Sequence, residues 1–195
     1  MPSKSKTKGN KFENDMVKLL NATYGTEEFS RTPNSGAMVG RSNWGRKQGL
    51  SENVKRTLGS DIIVPEKFLF SVECKWYANK PNYAQIIKGS DSDLDHWLAE
   101  CVYDAFNLDL HPLLFFKTNN KGVHFALPQY FVEHSWDEKI KGQYLLRYSD
   151  FVISGIDTFL ENAESIEILG HLLQEGVGRT IFKKHAQELL KTLED

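Results

Sequence analysis

The 195-residue chain is 40% hydrophobic and 12% aromatic, which suits one well-packed domain with a small appendage. It has no apolar run near the roughly 20 residues that cross a bilayer, and its polar, basic start, "MPSKSKTKGNK", lacks the apolar centre of a secretory signal. The only two cysteines, Cys74 and Cys101, lack metal-ligand spacing, so a disulfide framework or zinc module is excluded and a reducing, cytoplasmic setting is expected. The net charge of −2 hides a split: residues 1–90 carry 15 Lys/Arg against 8 Asp/Glu, and residues 91–195 carry 9 against 18. A basic front half suits contact with a polyanion.

Residues 1–9 read as a flexible basic arm, with Lys4, Lys6 and Lys8 alternating with Ser and Thr. From Asn10 to about Asn21, Phe12, Met16, Leu19 and Leu20, with Val17 beside them, recur at helical spacing, and Gly25 follows as a stop. The stretch 30–60 is poor in aliphatic residues and holds five glycines, at 36, 40, 45, 49 and 59. Its basic residues, Arg31, Arg41, Arg46, Lys47, Lys55 and Arg56, face Glu52 alone before Asp61, and Trp44 sits among them. That mixture predicts a long basic loop, inserted at about 37–59, for phosphate contact and base stacking.

A hairpin is predicted next, with a short strand at 61–64, a turn at Pro65–Lys67 and a longer strand at 68–77. Alternation puts Ser71, Glu73 and Lys75 on one face, and Phe70, Val72, Cys74 and Trp76 on the other, which would pack into a core. Residues 92–106 predict an amphipathic helix with Leu94, Trp97, Leu98, Cys101, Val102 and Ala105 on one stripe. "HPLLFFK" at 111–117 and "VHFAL" at 123–127 predict a strand pair around "TNNKG". From Asp150 onward the chain reads as mainly helical and acidic, interrupted by Gly155, Gly170, Gly176 and Gly178. The order α, β, β, α, β, β gives an α/β fold with a mixed sheet.

The hairpin brings Asp61 toward Glu73. Two close carboxylates repel each other unless a cation lies between them, so they are natural ligands of a hard ion. The backbone carbonyl of Cys74 offers a third oxygen. Lys75, one strand repeat from Glu73, could orient a water and offset charge on a phosphate. Mg²⁺ keeps several waters and takes one or two carboxylates plus a substrate phosphate, which this donor set matches. Glu13, one residue off the first helix's apolar stripe, is a further candidate acid. "DSDLD" at 91–95 resembles the start of a calcium loop, but His96 stands where that loop needs Gly and Val102 where it needs Glu; acid placement at a helix N-terminus is the better reading. His111, His124, His134 and His171 show no paired ligand spacing and read as structural or exposed.

"GNKFEND", "RTPNSG", "GSDIIV", "VECK" and "YAQI", in this order from about Gly9 to Lys117, resemble the archaeal-type Holliday junction resolvases of the PD-(D/E)XK nuclease superfamily. The resemblance implies a restriction-endonuclease-like core over 10–149, a central mixed β-sheet flanked by helices; the helical C-terminal extension over 150–195, read from its own pattern, has no counterpart in it. It implies that Glu13, Asp61 and Glu73 are metal-site acids, that Lys75 is the catalytic lysine and that Gln85 is a supporting polar residue. Arg31 and Ser35 match the loop that approaches the scissile phosphate. A homodimer is implied, cutting four-way DNA junctions with Mg²⁺, with Mn²⁺ as a possible substitute. Ser60 replaces the Pro expected before the metal Asp, and the insertion between Gly36 and Asp61 is longer than expected. The alternatives are a restriction-type, flap or nicking endonuclease, or a non-catalytic DNA-binding protein on the same fold.

Overall fold

A computed structural model describes residues 4–33, 51–133, 145–175, 179–180, 183–184 and 186–188. The first helix, α1, runs Lys4–Tyr24. Phe12, Met16 and Leu20, four residues apart, are its buried stripe. It stops at Gly25, whose φ of +61° suits glycine best. The expected flexible arm is therefore helical from Lys4 onward. Lysine is a good helix former, and the early turns are not unsupported, since the Lys8 ammonium lies over the Trp76 ring.

Seven strands form one mixed sheet in the order β1-β2-β3-β4-β5-β7-β6. They are β1 Ser30–Arg31, β2 Ile62–Ile63, β3 Phe70–Tyr77, β4 His111–Thr118, β5 Val123–Pro128, β6 Leu146–Tyr148 and β7 Phe151–Gly155. Strands β3 and β4 are parallel, with Glu73 opposite Leu114 and Lys75 opposite Phe116, and the other neighbours are antiparallel. The predicted hairpin is present, with Ile62 opposite Val72 and the Phe68 N–H closing the turn onto the Pro65 carbonyl at 2.9 Å.

Strand β3 is buried on both faces. Phe70, Val72, Cys74 and Trp76 face α1 together with α6 (Ile156–Glu161) and α7 (Ala163–Gln174): Phe12 meets Trp76 edge-on, Phe159 meets Phe115, and Gly170 lies against the Phe70 ring. The opposite face is covered by α4 (Ser92–Leu108), through Trp97 against Phe116 and Tyr77. All six residues of the predicted α4 stripe are buried. Asp91 caps α4, its carboxylate accepting from the Leu94 N–H at 2.8 Å, as the helix reading of "DSDLD" requires. The short α3 (Tyr83–Ile87) lies on the same side and packs against β6.

Two further expectations are corrected. Residues 52–58 are helix α2 (Glu52–Leu58), so Lys55 and Arg56 stand on a helix and the predicted loop ends earlier. Gly59 closes α2 where a Cβ would lie 2.7 Å from Leu108 Cδ2 and 2.8 Å from the Lys55 carbonyl, so only glycine permits this docking. Second, the segment from Asp150 is not a helical extension. Strand β7 lies inside the sheet between β5 and β6, and Phe159, Ile166, Leu169 and Leu173 of the following helices enter the same core. The turn Ser149–Asp150, with Ser149 at φ 51°, followed by the short β-prone run "FVIS", is what produces the hairpin. One further short helix, α5 (Tyr130–Glu133), joins β5 toward β6. No described helix is long and apolar enough to cross a membrane.

Candidate active site

Asp61 stands at the start of β2, tied on both sides. Its N–H donates to the Val72 carbonyl at 3.1 Å, and its carbonyl accepts from the Thr32 N–H at 3.0 Å. Its Oδ2 accepts from the Cys74 N–H at 2.9 Å, which draws the carboxylate across onto β3. The preceding Ser60 is buried, and its hydroxyl donates to the Ile62 carbonyl at 2.8 Å, tightening the entry where a Pro was expected. A strand residue's N–H and C=O point to the same edge, so the Cys74 carbonyl is also directed toward the Asp61 side. The Cys74 thiol is buried, and burial pushes its pKa well up, so sulfur chemistry plays no part.

Glu73 follows on the opposite face of β3, 6% exposed. Burial pushes its carboxyl well above the ordinary range; the Asp61 charge adds to this, and Lys75 opposes it. The two carboxyls repel each other, which adds to the burial that favours a proton on Glu73. Lys75 Nζ lies 3.0 Å from Glu100 Oε2 and 3.6 Å from Glu73 Oε2. Burial works against its charge, but the carboxylates of Glu73, Glu100 and Asp61 outweigh that and hold the ammonium protonated. Glu13, also buried, reaches the same region from α1. Burial and then Asp61 raise its pKa, while Arg31, with Nη1 3.2 Å from Glu13 Oε2, pulls the other way.

Among the described residues no three His, Cys, Asp or Glu side chains converge in metal-binding geometry. The donor set at the centre is two carboxyls and a strand carbonyl, with Glu13 turned onto Arg31. Few hard-oxygen protein ligands are what Mg²⁺ accepts, since it retains waters and takes a substrate phosphate. The repulsion between Asp61 and Glu73 marks the position where a cation would relieve it. The residues present fit such an ion.

A family described as "Phage putative PDDEXK endonuclease" matches residues 4–169. The chain belongs to this PD-(D/E)XK endonuclease family. The match spans α1, the hairpin, the whole sheet and the first half of α7, so the α/β core with its mixed sheet is the restriction-endonuclease-like fold. Nucleases of the superfamily typically use divalent metal ions. No curated protein and no solved structure matches the chain.

Of the residues singled out in the sequence, Glu13, Arg31, Asp61, Glu73, Cys74 and Lys75 come together in one cluster. Lys55 and Arg56 lie on α2, which packs against β2, and Thr32 Oγ1 reaches the Thr57 carbonyl at 3.4 Å; the helix thus flanks the carboxylates. Ser35, Arg41, Trp44, Arg46 and Lys47 fall outside the described residues. Gln85 does not join the centre. It is exposed on α3, which packs against β6 while Tyr83 contacts His124 of β5. Strand β6 stands four places from β3, about 19 Å across the sheet at ordinary strand spacing. Sequence reasoning missed Glu100. It sits off the α4 stripe, beside His96 at 3.3 Å, and reads in isolation as half of an i,i+4 surface pair. Only the crossing of α4 over β3 puts it on Lys75.

Proposed function

We propose that the chain is a Mg²⁺-dependent DNA endonuclease that prefers branched DNA, four-way junctions first, and acts as a homodimer in which each subunit cuts one strand. The observation that carries the chemistry is the half-buried Asp61 carboxylate, drawn onto β3 by the Cys74 N–H at 2.9 Å, beside the buried Glu73, with the Lys75 ammonium 3.6 Å from Glu73. The junction preference rests on the ordered motifs from "GNKFEND" to "YAQI" and on the basic segment before Asp61. A divalent cation held by Asp61, Glu73 and the Cys74 carbonyl would supply Lewis-acid stabilisation of the scissile phosphate and a more acidic water.

The chain's own residues set the rest. Burial favours a proton on Glu73, which would have to leave for its carboxylate to serve as a ligand. Lys75 stays charged between Glu73 and Glu100 and cannot serve as a general base. Its N–H groups instead donate to the oxygens on which charge develops during in-line attack. Arg31 holds Glu13 at the margin of the centre and presents a guanidinium toward an approaching phosphate.

A second reading keeps this chemistry and changes the substrate to plain duplex, a flap or a nick. It is supported by the family match, which is to a phage endonuclease family and not to a resolvase. Cleavage of labelled four-way junctions, flaps and duplex in Mg²⁺ separates the two. Symmetric paired nicks in the junction are expected, with little duplex cutting; equal rates on plain duplex overturn the junction preference. Cleavage retained by both Asp61→Asn and Lys75→Ala overturns the site.

A further inference from the structure

Trp76, the last residue but one of β3, follows Lys75 and points to the other face of the sheet, toward α1. Its indole N–H donates to Asn119 Oδ1 at 2.8 Å, which fixes the ring. Lys117 Nζ lies 3.9 Å from the centroid of that ring and 5.0 Å from that of Phe12. Lys8 Nζ, from α1, lies 5.6 Å from the Trp76 centroid. Beside them opens a cleft of about 380 Å³ whose lining includes Trp76, Lys117, Asn120 and the exposed Lys121.

Among the described residues no carboxylate lies within ion-pair distance of Lys8, Lys117 or Lys121. Surface lysines ordinarily settle beside acids. Here two ammoniums are held by aromatic faces, which orient them without cancelling their charge. Their N–H groups stay available to a strong anionic acceptor. The patch adjoins the carboxylate centre: Lys8 precedes Gly9, where a Cβ would lie 3.7 Å from Glu13 Oε1. From Glu73 to Trp76 the strand advances about 10 Å, the axial length of about three nucleotides of one DNA strand.

We propose that Lys8, Lys117 and Lys121 around Trp76 form a sequence-independent clamp on the DNA backbone, a few phosphates from the bond that is cut. This rests on the nuclease reading above and adds a substrate track that the carboxylate centre does not contain. The partner is a nucleic-acid backbone because the chemistry is point charges set along an open cleft, with no carboxylate among the described residues to quench them.

The test is fluorescence anisotropy of a labelled duplex and a labelled four-way junction, in Ca²⁺ or without metal, over a salt series. Lys8→Gln/Lys121→Gln should weaken binding about tenfold and lower the slope of log K against log salt by about 2. Lys117→Gln should act in the same direction, and Lys117→Arg, which keeps charge and ring contact, should restore affinity. Lys67→Gln, at the hairpin turn, should change neither quantity. If Lys117→Gln fails to fold, the Lys8→Gln/Lys121→Gln protein carries the result, since both side chains are peripheral. Unchanged affinity and slope in that protein, or no DNA binding by the unaltered chain, overturn the clamp. Tight, salt-dependent binding without cleavage in Mg²⁺ overturns the nuclease reading and leaves the clamp standing.

Discussion

Two buried polar clusters, one at each end of β3, handle burial in opposite ways. Near its start, His111 is fully buried on β4 with both ring nitrogens engaged, Nδ1 with Tyr130 Oη at 2.9 Å and Nε2 with the Gly170 carbonyl at 3.1 Å. A carbonyl only accepts, so Nε2 carries the proton and Nδ1 accepts from Tyr130. The ring is neutral, its pKa lowered to about 4 by burial. Toward the other end, Asp61, Glu73 and Glu13 repel one another, and Lys75 and Arg31 only partly offset them. A polar group buried for structure ends in matched hydrogen bonds. One buried for chemistry keeps charge in reserve for a ligand.

The contrast breaks most sharply under substitution. Asp61→Asn should cut the cleavage rate at least about a thousandfold, while DNA binding and the melting temperature stay near those of the unaltered protein. His111→Ala should do the reverse, costing about 2–4 kcal/mol in denaturant unfolding with cleavage per folded molecule unchanged.

Acidity should separate the clusters by sign. The folded pKa of His111, about 4, lies below its ordinary 6.5, so its contribution is present above 6.5 and lost as pH falls toward 4. That loss is on the order of 3 kcal/mol. Glu73 is raised above 4.5, so its contribution is present below 4.5 and lost as pH rises through the folded value. Melting curves of metal-free protein across this range should show Glu73→Gln gaining stability at neutral pH, and Mg²⁺ should stabilise the unaltered chain there but not the variant. A smaller effect is expected at Glu100. Glu100→Gln should lower kcat about tenfold with KM little changed, because it loosens the Lys75 ammonium and leaves the DNA-contacting surfaces intact.

The Asp61–Glu73 carboxyl pair was legible in the sequence for a local reason. A hairpin with a short turn puts residue 61 beside residue 73 whatever surrounds it, and the period of two sorts Glu73 from Cys74. Helix α4 was legible through its apolar stripe, and α1 through Phe12, Met16 and Leu20. Strand β7 was not, because three apolar residues ahead of helical segments carry too little period to distinguish a strand, and only its pairing with β5 and β6 makes it one. Gln85 followed the motif order yet stands across the sheet, because α3 packs toward β6.

By itself the sequence determined what neighbouring residues and short-range periodicity dictate: the hairpin, the two principal amphipathic helices, and the acids and lysine that the hairpin presents. Only the tertiary structure decided what distant segments bring together: Glu100 against Lys75, Arg31 against Glu13, and Lys8 and Lys117 over Trp76. These contacts depend on how helices cross the sheet, which is set by the packing of the whole core and by no single stretch of chain.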